Sequence, residues 1–215
     1  MIAVLLRRTL VSLFVLLAAA TVSIPVIRRS ILRAAGWTLV VNDPVTVADI
    51  IVVSGEGDGP GVLEASDLVH GGVATRVAVF AYAPDAVELE FDRRGIPYEN
   101  KTVQYIRELR ALGVVSAQQV PTFVTGTEDE GPVLAHWCDK ERFNSIVVVG
   151  TPDHSRRLRR VLHRYMKDHQ TTVAVRSSHY SQFDPDQWWK SRSGIRTEIV
   201  ELEKLLLDIM HHPLS

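Results

Sequence analysis

The sequence predicts an α/β domain built on a mostly parallel sheet with helices on both faces. Two observations carry this. Short apolar runs such as ADIIVVS (48–54) and SIVVVG (145–150) lack alternating polar positions, as strands buried on both faces require. Helical patterns with their own start and stop signals stand between those runs, and alternating strand and helix is the order that builds parallel sheets. A third observation concerns the segment before the domain, which is apolar and flanked by arginines.

Residues 9–27 (TLVSLFVLLAAATVSIPVI) carry no charge. As a helix they would span roughly 28 Å, close to the hydrocarbon core of a bilayer. They read as one N-terminal transmembrane helix, with residues 1–8 as a cytoplasmic segment or a signal n-region. Ala18-Ala19-Ala20 fits a cleavage site and supports a rival reading, a removed signal peptide, although the apolar run continues to Ile27. Arg7 and Arg8 face Arg28, Arg29 and Arg33 across the run, so the positive-inside rule does not orient it. Residues 28–47 read as a connector and 48–211 as the folded domain.

Within the domain, 48–54 is the first strand and 62–69 a short amphipathic helix. The second strand is 76–81. Pro84 opens a helix that Gly95 closes, the usual placement of those two residues. A further helix covers 101–112 and stops at Gly113. The apolar stretch 120–124 is the expected third strand, followed by a helix over 127–142. The fourth strand, 145–150, precedes a strongly basic helix over 153–167. A fifth strand (171–175) and a long helix (196–210) complete the order.

Composition narrows the function. The chain has 215 residues, 46% hydrophobic and 23% charged, which excludes a disordered tail, a collagen and a polytopic membrane protein. Its single cysteine, Cys138, excludes an intramolecular disulfide framework and a cysteine-based zinc site. The net charge of −1 hides an asymmetry: five arginines precede the first acidic residue, Asp43, and 34–215 holds 19 basic against 25 acidic residues. An acidic body argues against nucleic acid as a partner. Arginines beside an apolar run suit a membrane with anionic headgroups.

Parallel sheets bind ligands where strand ends meet helix N-termini, so the loops after the strands carry the candidate site. After strand one, Gly55, Gly57, Gly59 and Gly61 interleave with Glu56 and Asp58. The spacing is neither a dinucleotide fingerprint nor a P-loop, and the loop reads as a flexible turn or as a ligand or metal loop. After strand three, Thr127 and Glu130 have capping-box spacing. Glu130 is also in helical register with Leu134 and Trp137, so it points toward the sheet end. After strand four, Thr151 precedes a helix on which His154 and Arg157 lie on or beside the apolar face of Leu158, Val161 and Leu162. A histidine and an arginine on a first turn suit anion binding, and His154 could serve as general acid or base. Arg156, Arg160, Arg164 and Lys167 form a separate stripe, read as a solvated face. Trp188-Trp189 reads as a core lid, and His211-His212 as a poor metal site.

Together these segments resemble the YdcF-like family (domain of unknown function 218), which includes the SanA and ElyC envelope proteins. The resembling stretches are ADIIVVSG (48–55), GTEDEGPVLAHW (126–137), SIVVVGTPDHSRRLRRVL (145–162) and WWKSRSGIRTEIVELEKLL (188–206). The family's threonine, histidine and arginine match Thr151, His154 and Arg157; its threonine and acid resemble Thr127 and Glu130; its final glutamate and lysine resemble Glu201 and Lys204. The chain departs from the pattern at Asp153, where the family has tyrosine, in the VLEASDLV stretch, where an arginine is usual, and in the two acids of the first loop. The resemblance implies a Rossmann-like three-layer α/β/α sandwich, anchored in the cell membrane and facing the periplasmic or extracytoplasmic side, in envelope or peptidoglycan maintenance. S-adenosylmethionine is a ligand discussed for the family; a divalent cation is the other cofactor expectation. The expected site has His154, Glu130 and Arg157 as catalytic residues and Gly55, Glu56, Gly57, Thr127 and Thr151 as ligand contacts. It would hold an anionic small molecule or a lipid-linked precursor. A nucleotide-type binding module and an anchored scaffold are the alternatives.

Overall fold

The computed structural model describes Arg7 and residues 23–96 and 100–215. Among these the elements run α1 (Pro25–Leu39), β1 (Ile50–Val53), α2 (Asp58–His70), β2 (Arg76–Val79), α3 (Ala86–Arg93), α4 (Lys101–Ala111), β3 (Ser116–Gln119), α5 (Thr127–Glu141), β4 (Ser145–Gly150), α6 (Pro152–Met166), β5 (Thr172–Ser177), a 3-10 turn (Trp188–Lys190) and α7 (Arg192–His211). The strands form one all-parallel sheet in the order β3-β2-β1-β4-β5. All of β1 is buried, because its alternate residues serve different cores. On one face Ile50, Val52, Ile146 and Val148 pack with Leu134 and Trp137 of α5 and Leu158 and Leu162 of α6. On the other, Ile51, Val53, Val147 and Val149 pack with Val62 and Ala65 of α2 and Leu109 of α4. Two cores separated by one sheet give the three-layer, Rossmann-like α/β arrangement that the apolar runs predict.

Three expectations need correction. The third strand is 116–119, not the apolar 120–124. β3 lies at the sheet edge and pairs only with β2, so it need not be apolar throughout. Val120 still donates to the Val79 carbonyl, but Pro121 has no N–H to continue the ladder. Val120 and Val124 are buried as loop residues, and Val124 makes one isolated bridge to Tyr82. Second, much of the expected connector is helix. Gly36 and Leu39 of α1 are buried, and Gly36 packs so closely on Pro185 that a Cβ would lie 2.4 Å from its carbonyl oxygen. Trp188 donates its indole N–H to the Leu32 carbonyl at 2.8 Å and packs with Leu39, Phe183 and Leu205, so it fastens α1 to the body.

Third, the basic stripe of α6 is mostly not solvated. Arg156 donates to the Thr38 and Val40 carbonyls. Arg160 and Arg164 both pair with Asp208, which is 6% exposed. The stripe is the docking face for α1 and α7; only Lys167 is exposed. Most of the predicted transmembrane helix, residues 9–22, lies outside the described residues. Among the described residues no helix is long and apolar enough to cross a membrane.

Candidate functional site

The chain leaves β1 toward β2 on one side, whereas β4 lies on the other. The β1 and β4 ends therefore form the switch point where doubly wound sheets place ligands. A cleft of about 730 Å³ opens there. Gly55, Glu56 and Thr151 line it, joined by Asp58, Tyr82, Lys101, Tyr105, Asp153 and the start of α7.

Gly55 is glycine because Tyr82 crosses it: a Cβ would lie 2.5 Å from the phenol oxygen. Asp58, which starts α2, has a positive φ of 44°, uncommon for a residue with a side chain. Its carboxylate accepts the Tyr105 hydroxyl at 2.7 Å. Gly57 does not line the cleft. It turns against β1, where a Cβ would lie 2.9 Å from Val53 Cγ1, so its reading as a ligand contact is not supported.

His154, Arg157, Glu130 and Thr127 lie behind Glu56 rather than on the cleft wall. Arg157 is the centre of this group. Its Nη2 lies 2.9 Å from His154 Nδ1, 3.3 Å from Glu56 Oε1 and 3.3 Å from Glu201 Oε2. Glu56, His154 and Glu201 are spaced closely enough to ligate a metal ion. The Arg157 guanidinium already fills the point on which they converge, so these residues do not fit a metal with Arg157 in place. His154 Nδ1 and the guanidinium make one close polar contact, and the ring's Nε2 is buried with no partner among the described residues. His154 is wholly buried, with Nδ1 3.3 Å from Oε2 of the cleft-lining Glu56.

The expected capping box is not formed. Gly126 occupies the N-cap without a side-chain bond. Thr127 instead donates to Glu56 Oε1 at 3.3 Å, and Asp129 takes the Thr125 amide. Glu130 points toward the sheet end, as its helical register predicts, and accepts the Gly55 amide at 3.0 Å. Burial, opposed by that amide and reinforced by the Glu56 charge, pushes its carboxyl up to about 8, so it holds its proton at neutral pH. Burial acts on Glu201 as well, but His154, Lys204 and Arg157 face it and hold its carboxyl at about 2.

Sequence reasoning missed Tyr82, Asp153 and Glu198. Glu198 is fully buried on α7, and neither carboxylate oxygen has a partner among the described residues. Burial and the charge of Asp153 push it up to about 7. Its signal lay in the spacing of Glu198, Glu201, Leu205 and Asp208, which places three acids on one helix face.

Fold and site together define the class: a doubly wound parallel α/β domain with a cleft at its switch point. No family model and no curated protein matches the chain. Among solved structures it is similar to guanylylpyridinol- and ATP-bound HcgE from Methanothermobacter marburgensis, at 16% identity and a TM-score of 0.33, over 62% of each chain. The chain thus spans less than two thirds of that protein's length, and so distant a likeness bears on neither ligand nor activity.

Proposed function

We infer that the chain is an anchored cell-envelope protein of the YdcF-like kind whose cleft binds a nucleoside-type ligand carrying positive charge, as S-adenosylmethionine does. One observation carries the choice of ligand: the charge of the cleft wall. Glu56, Asp58, Glu88 and Asp153 line it, against Lys101 as the one basic lining residue among those described. An anionic ligand would meet like charge there, whereas carboxylates accept hydrogen bonds from ribose hydroxyls and attract a cationic centre. Phe80, Tyr82, Tyr105 and Phe183 add aromatic wall against which a base can stack. The Arg157 guanidinium, which an anion would need, is held by two carboxylates and the His154 ring.

The envelope setting rests on the resemblance and on the apolar segment 9–27. The reading of a phosphorylated or lipid-linked precursor, with hydrolase or transferase chemistry, keeps one support. Lys101 and the α6 N-terminus face the same cleft through Thr151, and His154 and protonated Glu130 stand behind it as acid–base groups. A scaffold with a vestigial cleft would not need the protonated Glu130.

Calorimetry on the full chain in detergent separates these readings. Adenosylmethionine should bind, and Asp153→Asn should weaken it by roughly tenfold, the loss of one charge-assisted contact. Binding of a prenyl phosphate without adenosylmethionine would move the assignment to the precursor. Binding of neither would favour the scaffold.

A further inference from the structure

The outer surface of α7 carries a seam that the chain itself leaves open. Ile195, Ile199, Leu202, Leu206 and Ile209 follow one another at spacings of four, three, four and three residues. That is the heptad rhythm of helices that pack side by side with knobs in holes. Ile199 is 59% exposed, Leu206 58%, Ile209 41% and Ile195 39%; Leu202, at the centre, is partly covered by the cluster beneath. The face of α7 turned to the body holds Glu198, Glu201, Leu205 and Asp208, so this helix buries three acids beside one leucine and exposes most of its aliphatic side chains. An ordinary surface helix does the reverse.

The residues beside the seam identify what covers it. Arg196 and Glu203 each follow a seam residue by one position, both are exposed, and neither has an ion pair within the described residues. We propose that a second copy of this chain packs its α7 antiparallel along this seam, with the two-fold axis passing between Val200 and Glu201. That axis places Ile199 against the partner's Leu202 and Ile195 against the partner's Leu206, each twice. In the same register Arg196 faces the partner's Glu203, and Glu203 faces the partner's Arg196. A self-complementary patch of this kind closes as a dimer and leaves no open end. An anionic membrane surface fits less well, because Glu203 stands on the edge of the stripe. The arginines suited to lipid, Arg28, Arg29 and Arg33, are on α1 beside the apolar segment.

The test uses the full chain in detergent or nanodiscs, with sedimentation to measure association and circular dichroism melting to confirm the fold. Leu206→Glu should weaken dimerisation by roughly 30-fold or more, because it puts a charge against the partner's Ile195 twice in the seam. At concentrations where the wild type is also monomeric it should leave the melt unchanged, because the residue is exposed in the single chain, and at higher ones it should melt lower by what association adds. Arg196→Glu alone and Glu203→Arg alone should each weaken it by roughly three- to tenfold. The double reversal should return to within about twofold of the starting affinity, since it restores both pairs with the signs exchanged. Co-expressed Ile199→Cys and Leu202→Cys chains should form a mixed disulfide in preference to either homodimer. A monomer at all concentrations would overturn the proposal, as would a dimer indifferent to Leu206→Glu or a double reversal as weak as the single ones.

Discussion

Replacing Arg157 by methionine removes the cation on which Glu56, His154 and Glu201 converge while keeping most of the side-chain volume. The cost follows from Glu201. Its carboxyl is 5% exposed and held at about 2 against an ordinary 4.5, a net displacement equivalent to about 3 kcal/mol that the groups facing it leave after burial has opposed them. Arg157 shares that with His154 and Lys204. Its second bond, to the more exposed Glu56, adds little after solvent screening. Loss of about 2 kcal/mol at pH 7 is expected, below the ~3–5 kcal/mol of a wholly buried pair because Lys204 remains. For a chain this long that lowers Tm by about 4–8 °C. The pH dependence fixes the cause. Glu201 is depressed in the folded state, so its contribution is complete above about 4.5 and disappears as pH falls toward 2. The stability gap between wild type and Arg157→Met should therefore be constant from pH 7 to about 5 and close below that. Urea unfolding across the range measures it. A gap under about 0.5 kcal/mol at pH 7, or one that widens with acid, would refute the reasoning.

Glu130→Gln works in the opposite window. A carboxyl raised to about 8 contributes stability below its unfolded value and loses it as pH climbs through 8, so the variant should gain on wild type between pH 4.5 and 8, by up to about 5 kcal/mol, in unfolding measured at each pH. Gly131→Ala should destabilise by about 1–2 kcal/mol, because its Cβ would lie 2.4 Å from the Tyr165 ring; adding Tyr165→Ala should recover the part due to that clash, seen in a double-mutant cycle. Gly55→Ala should displace Tyr82 from the cleft wall and weaken binding of adenosylmethionine by calorimetry, while its melting point moves little because Tyr82 is 37% exposed and free to shift.

The sheet was legible because burial on both faces leaves a plain mark, the run of apolar residues in 48–54 and 145–150. It failed at β3, where an edge strand is paired on one side and its polar SAQQ carries no such mark. The inward turn of His154 and Arg157 was legible from their distance to Leu158 and Val161, since helical spacing fixes which residues share a face. Their partners were not, because helix-to-helix pairing is set by tertiary contact. The stripe Arg156, Arg160 and Arg164 looks solvated on α6 alone and becomes partly buried once Asp208 and the Thr38 carbonyl lie opposite. Thr127 and Glu130 show the same limit: their spacing fits a local cap, but Glu56 and the Gly55 amide, far off in sequence, take those side chains instead.

The packing of α6 on α7 connects stability with the site. The two helices run in the same direction, and their facing residues form rungs. Arg160 and Arg164 meet Asp208 at the far end, and Arg157 meets Glu201 nearer the cleft. One turn further toward the cleft the pattern continues with Asp153 and Glu198, and this rung has two acids and no guanidinium. Each is raised by its burial, and Glu198 also by the charge of Asp153. The rungs that hold the fold are thus neutralised within the chain, while the one at the cleft, where Asp153 is part of the lining, has no positive partner among the described residues. A ligand bearing positive charge would complete it, as Arg157 completes the rung below, and a phosphate would find two carboxylates there. The acidic wall and the unmatched rung are therefore two views of one electrostatic fact, and both support the class of ligand proposed above.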